Sequence, residues 1–269
     1  MLINHKSIKM RKFFLLITLV ISSQYLISQE EEPYLINFHY IEVSGNTNEF
    51  IAANKNYFKP LAKQAVKDGK WAGWDMFQSV TDGNKFLFIH HYNSPNQLEN
   101  AVNVFSGEVA KKLGLKSPNW ESFQMNGSIA PQEIWQIVSN AIGDSKSNYF
   151  IKNEFIFNDR KKFIDNNKLW NELVVSPQLG TVKGLNWACG VKLTSGEWED
   201  GKMSSYNGIS FDGFDSLEEI LKNRAYSSKP SEPNKYYEKF VEEVDKRELN
   251  DFSTAVKNSI WRVIDNTWD

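Results

Sequence analysis

Ile134-Trp135-Gln136-Ile137-Val138 returns 126 positions later as Ile260-Trp261-Arg262-Val263-Ile264. Both are short apolar runs of β-branched and aromatic residues, the composition of a strand. Working outward from each, the same order of segments occurs twice. In the first half, Tyr34 to Val43 is strand-like and stops at Ser44-Gly45-Asn46. Asn48 to Asp68 spaces Phe50, Ile51, Tyr57, Phe58, Leu61, Ala65 and Val66 as a helix would, with Gly69 placed to close it. Trp71 to Val80 and Lys85 to Tyr92 flank Asp82-Gly83-Asn84, a hairpin signal. A second helix is predicted from about Pro95 to Lys112, and the Ile134 to Val138 strand completes the set. The order is β-α-β-β-α-β.

In the second half, Tyr149-Phe150-Ile151 matches Tyr34-Leu35-Ile36 at an offset of 115. Lys183 and Trp187 match Lys70 and Trp74 at 113, and Phe211-Asp212-Gly213 with Leu217 resembles Tyr92-Asn93-Ser94 with Leu98 at 119. Loops of different length explain the drift, and the repeated order predicts a tandem duplication. Each β-α-β-β-α-β unit makes a four-stranded antiparallel sheet with both helices on one face. The bare face needs a partner, which a second covalently linked copy supplies by packing sheet to sheet around a lumen. The fold class is therefore α+β: two ferredoxin-like units packed as an intrachain dimeric α/β barrel. They are assigned to residues 29–143 and 144–269.

The 269 residues, with 31 Lys+Arg against 33 Asp+Glu and 41% hydrophobic, describe an ordinary folded chain. Charges of both signs are scattered, so no basic field exists for nucleic acid. A single cysteine, Cys189, excludes an intramolecular disulfide framework and multi-cysteine metal sites; it reads as a buried small hydrophobe. Lys6, Lys9, Arg11 and Lys12 precede an apolar run from Phe13 to Ile21 that is too short to span a bilayer and suits a signal peptide over residues 1–28. No cysteine lies near that junction, so no lipid anchor is indicated. Cleavage removes four positive charges and no negative ones, moving the formal charge from -2 to -6. The expected location is secreted or periplasmic, without a membrane anchor. Asn126-Gly127-Ser128 fits a glycosylation sequon.

The helix ending Val66-Lys67-Asp68-Gly69-Lys70, the following Trp71-Ala72-Gly73-Trp74, the Asp82-Gly83 turn and Tyr92-Asn93-Ser94-Pro95 resemble the dimeric α/β-barrel superfamily, which includes antibiotic-biosynthesis-monooxygenase-like proteins. The resemblance covers the first unit well and the second by pattern. It implies a ligand or reaction site between sheet and helices or in the barrel lumen. Members include cofactor-free oxygenases, isomerases, haem-handling enzymes and proteins without known activity, so fold alone does not choose among them.

Beyond the signal segment, the histidines are His39, His90 and His91. Alternation puts Leu35, Asn37, His39, Ile41 and Val43 on one face of the first strand and Tyr34, Ile36, Phe38 and Tyr40 on the other. On the third strand His90 shares a face with Phe86, Phe88 and Tyr92, and His91 with Leu87 and Ile89. Polar Asn37 and His39 are taken to mark the lumen face. His91 is chosen as the partner of His39 because its face is the less aromatic, and His39 and His91 are the catalytic candidates, an acid/base pair. The alternative is two hydrogen-bonded structural histidines. The offset of 115 matches His39 to Glu154, whose carboxylate would reach across the lumen. Asn37, Tyr40, Trp74, His90 and Glu154 are the ligand-binding candidates. Trp71, Trp187 and Trp198 are read first as core.

A metal held by His39, His91 or His90 with Glu154 is considered and not adopted, because neighbouring histidines on a strand point to opposite faces. No dinucleotide, Walker A, His-Glu-x-x-His or EF-hand motif occurs. The expectation is an exported small-molecule-binding protein without a cofactor, monomeric or homodimeric. It is either an enzyme using the histidine pair for proton transfer or oxidation, or a non-catalytic ligand- or partner-binding module. A lyase or carbohydrate-processing accessory is a third class.

Overall fold

The computed structural model describes residues 32–126, 133–194, 205–224 and 235–268. The signal segment, Trp198 and most of the sequon lie outside these. The first set of elements is β1 (Leu35–Gly45), α1 (Thr47–Ala53), a π-helical turn (Asn54–Phe58) running into α2 (Lys59–Lys67), β2 (Gly73–Ser79), β3 (Lys85–Tyr92), α3 (Pro95–Glu99), α4 (Gly107–Lys112), β4 (Phe123–Asn126) and β5 (Glu133–Ile142). The second is β6 (Tyr149–Phe157), α5 (Arg160–Trp170) with a π turn (Asn171–Val175), β7 (Asn186–Lys192), β8 (Gly208–Phe214), α6 (Leu217–Arg224), α7 (Lys235–Lys246) and β9 (Ser253–Asn266). The helix expected over 95–112 is two short ones, each started by a serine, Ser94 and Ser106, whose hydroxyl accepts a backbone N–H.

The strands run β3-β2-β9-β6-β8-β7-β5-β1, and β1 pairs back onto β3. Eight strands thus close into an antiparallel barrel, with β4 added beside the end of β1. The two sheets join edge to edge, through β2–β9 and β5–β7, instead of stacking face on face. Closure removes the open edges that separate sheets would present. Ile36, Phe38, Leu87, Ile89, Trp135, Ile209, Phe211 and Trp261 fill the lumen. Leu35, Phe50, Ala62, Trp74, Phe86 and Phe88 form the core between the first unit's sheet and its helices.

Pairing fixes the internal repeat more firmly than sequence offsets. Ile36 lies opposite Trp135 as Phe150 lies opposite Trp261, so β1 matches β6 at 114 and not 115. His91 and Gly213 lie opposite those same residues, so β3 matches β8 at 122 and not 119. Trp74 and Trp187 keep their offset of 113: they lie opposite His90 and Asp212 and are both buried. A one-residue slip exchanges the two faces of a strand. Tyr40, not His39, is therefore the counterpart of Glu154.

Candidate functional site

The two faces of β1 divide as expected, but the polar face is the outer one. Asn37 lies opposite His90 and Ile36 opposite His91. His39 thus shares the helix-side face with His90, and the expected pairing of His39 with His91 fails because a sheet separates them. The error lay in taking polarity as the mark of the lumen. On β1 the aromatic side chains line the lumen, and the polar residues of that strand lie under the helices.

On that helix-side face, the His39 and His90 rings are 4.6 Å apart, and His90 stacks on Trp71 at 4.3 Å. Trp74 lies directly across from His90, on the strand beyond it, and packs on Phe88. Phe105 stands 5.3 Å from Trp71, and Phe58 and Trp120 continue the aromatic contacts outward. Phe105 and Trp120 are 39% and 43% exposed, so this chain of rings runs from solvent to the histidines. Burial pulls His39 down to about 4 and His90 well below its usual value, the latter helped by the neighbouring imidazoles. Both rings are uncharged at neutral pH. His90 is half-buried as a residue, with Trp71 and His39 against its ring. The space between this face and the helices is the candidate recess.

Several buried polar atoms on this side have no partner: Asn37 Oδ1, His39 Nε2, Asn54 Oδ1, Trp74 Nε1 and Asp265 Oδ2. The Asn37 amide, and after it the Trp71 indole N–H, lie close enough to the Tyr92 phenol to oppose its upward shift, and the indole makes no bond of good geometry. Burial nevertheless raises Tyr92 to about 12. Asn54 belongs to the π turn, and its Nδ2 donates to the Phe50 carbonyl at 3.1 Å. Sequence reading missed Asn54, although a polar residue on an otherwise apolar helix face was the available signal.

His91 belongs to another cluster, at the end of the barrel where β1 begins. Its Nε2 is 2.6 Å from Asp75 Oδ2, and its Nδ1 is 2.9 Å from the Tyr34 hydroxyl. Burial, then the Asp75 charge, pushes the Tyr34 hydroxyl upward, so Tyr34 donates and His91 Nε2–H points to Asp75. Trp268 Nε1 donates to Asp75 Oδ1 at 2.8 Å. The hydrogen bonds of this cluster are internal.

Tyr40 and Glu154 meet in the lumen around Lys152, whose side chain is 1% exposed. The ammonium donates to Tyr40 Oη at 2.6 Å, Glu154 Oε1 at 2.7 Å and Tyr206 Oη at 3.0 Å. Tyr206 donates in turn to Glu133 Oε2, and Glu133 Oε1 holds Lys192 at 3.2 Å. Two cations and two anions balance in a network of satisfied bonds, which describes a structural plug. Glu154 does not reach His39. Among the described residues no group of three or more His, Cys, Asp or Glu is placed to hold a metal. Cys189 is fully buried, and burial pushes its thiol well up.

No protein-family model and no curated protein sequence matches the chain. Solved structures do. A protein described as "putative monooxygenase" from Fusobacterium nucleatum is similar, with 11% identity and a TM-score of 0.51, over 87% of this chain and 94% of that one. A protein of the same description from Lactobacillus acidophilus has 7% identity and a TM-score of 0.52, over 87% and 96%. The chain has the dimeric α/β-barrel fold. At these identities the likeness concerns the fold and leaves the chemistry to the site. No helix among the described residues of this α/β barrel is long and apolar enough to cross a membrane.

Proposed function

We propose that the recess between the first unit's sheet and its helices binds a small organic molecule with a flat ring, and that His90 serves there as a neutral imidazole able to take a proton from it. The observation that carries this reading is the Trp71–His90 stack on the helix-side face, with the exposed Phe105 packed against Trp71. A flat ring inserted there meets an aromatic face and an imidazole. An uncharged imidazole is the form that accepts a proton, and because burial makes it a weak base the proton is passed on and not held there. The second unit supports the assignment by contrast: at the positions of His39 and His90 it carries Asn153 and Asp212, which bond each other at 2.8 Å. We also propose that residues 1–28 direct export. Amino-terminal sequencing of the protein recovered from periplasm and medium should begin near residue 29, and an intact Met1 there would sink that part.

The test is a thermal-shift and ligand-observed NMR screen of ring compounds, repeated on His90→Ala, Trp71→Ala and His91→Ala. A ligand that binds only the folded state raises the melting temperature by mass action. Hits should lose their effect in the first two variants and keep it in His91→Ala, which alters the opposite face. Hits that survive in both His90→Ala and Trp71→Ala, or vanish equally in all three, would remove the recess from consideration. Proton acceptance adds that turnover of any ligand found to react falls in His90→Gln while its binding stays.

A further inference from the structure

We infer that the recess takes an uncharged ring carrying hydroxyl groups, an inference that rests on the reading of the recess as a binding site. Six unpartnered polar atoms among the described residues on this side, the Trp71 indole included, are too many for a finished core. Each buried polar group without a partner costs about 1–3 kcal/mol, and folded proteins leave few of them. Asn37, His90 and Trp74 lie in a row across β1, β3 and β2, and the His39 ring touches His90. Asn54 faces them from the helix. It sits one turn after Phe50, which packs on Phe88, and one before Phe58, which packs on the Phe105 that touches Trp71.

The kinds of orphan atom decide the ligand. Asn37 Oδ1 and Asn54 Oδ1 need donors, the Trp71 and Trp74 indoles need acceptors, and His39 Nε2 takes either according to tautomer, while Asp265 lies farther along the sheet on β9, opposite Met76. A carboxylate or phosphate offers acceptors alone and would be repelled by the amide oxygens. An ammonium offers donors alone. A hydroxyl group supplies both.

Charge points the same way. His39 and His90 are neutral, Tyr92 is protonated, and the Lys59–Asp265 pair at 2.6 Å cancels itself. A charged ligand would lose its hydration without finding an opposite charge. The Trp71–His90 wall supplies an apolar face for the ring. Phenolic rings and saturated polyol rings share this chemistry.

The experiment titrates the whole protein with hydroquinone, methyl glucoside, benzoate, benzylammonium and toluene, followed by ligand-observed NMR. Hydroquinone or the glucoside should bind about tenfold tighter than benzoate and benzylammonium, and which of the two binds identifies the source. Asn54→Leu should reduce that preference several-fold, leave toluene binding unchanged and keep or raise the melting temperature, because it removes an orphan acceptor. Equal or tighter binding of benzoate or benzylammonium overturns the inference while leaving the binding site standing. So does an Asn54→Leu protein that is less stable yet keeps its preference. Binding of no ring compound at all removes both.

Discussion

Replacing Lys152 by Met probes the lumen plug, and the structure sets the size of the effect. The Lys152 ammonium is 1% exposed and has an acceptor for each of its three hydrogens, with the Phe38, Tyr40 and Tyr206 rings 4.5 to 5.5 Å away. Methionine fills similar volume, so little cavity forms. The Glu154 carboxylate then stays in the lumen without its cation. Breaking a buried pair from one side costs roughly 3–5 kcal/mol. For a chain of this size that is a fall in melting temperature of about 6–20 °C.

Lys152→Met with Glu154→Leu removes both charges and should recover at least half of the loss. Urea unfolding at constant slope is the assay. A single-variant cost under about 1 kcal/mol, as exposed pairs give, would refute the reasoning, as would a double variant whose loss equals the sum of the singles. Alkaline titration adds a signed check. Burial holds the Lys152 ammonium below the ordinary lysine value, against the pull of Glu154. Between that lowered value and about 10.4 the unfolded chain binds more protons, so this residue makes wild-type stability rise with pH, and Lys152→Met should lose the rise. Burial pushes Tyr40 the other way, so its contribution falls above about pH 10. The difference between the two proteins isolates the lysine.

Acid should act through His39. Its folded value of about 4 lies below the unfolded 6.5, so stability is complete above pH 6.5 and is lost as pH falls towards 4, by roughly 3 kcal/mol. His39→Gln should reduce that slope in urea titrations between pH 4 and 7, leaving the part that belongs to His90, whose value burial also lowers, and parallel curves would count against it. At Gly73, a Cβ would collide with the Trp268 ring, which is 53% exposed and free to swing away. Gly73→Ala should then break the Trp268–Asp75 bond at a cost of about 1–2 kcal/mol and shift tryptophan emission towards the red. Trp268→Ala should cost as much, and the double variant no more; additive losses would show that the ring is not what Gly73 makes room for.

Most of the architecture was legible because two copies state it. The Ile-Trp strands, the Asp82-Gly83 turn and the helix closed by Gly69 read correctly from local chemistry. Side-chain alternation also assigned each β1 residue to the correct set. The direction of each set was not legible, because it depends on which strands close the barrel, and that is a pairing across more than a hundred residues. Aromatic β1 residues line the lumen because eight strands enclose room for Phe38, Trp135, Phe211 and Trp261 together. The polar residues went under the helices, and with them His39. The slip from 114 to 115 then placed Glu154 beside the wrong residue, since one residue exchanges faces.

The corrected register turns the duplication into an argument about the site. Tyr40 and Glu154 are counterparts, as are Phe38 and Lys152, so the second copy placed charges in the lumen where the first kept rings. On the helix-side face the exchange runs in the opposite sense. Where the first copy has His39 and His90 beside atoms without partners, the second has Asn153 bonding Ser210 at 3.0 Å and Asp212 at 2.8 Å. Two units of one fold under one set of packing rules reached different ends at the same register: one closed its polar groups on each other, the other left them open. Folding stability favours the closed arrangement in both copies. An open arrangement kept in one copy only, and joined to solvent by a row of aromatic rings, is what a binding function would require of it.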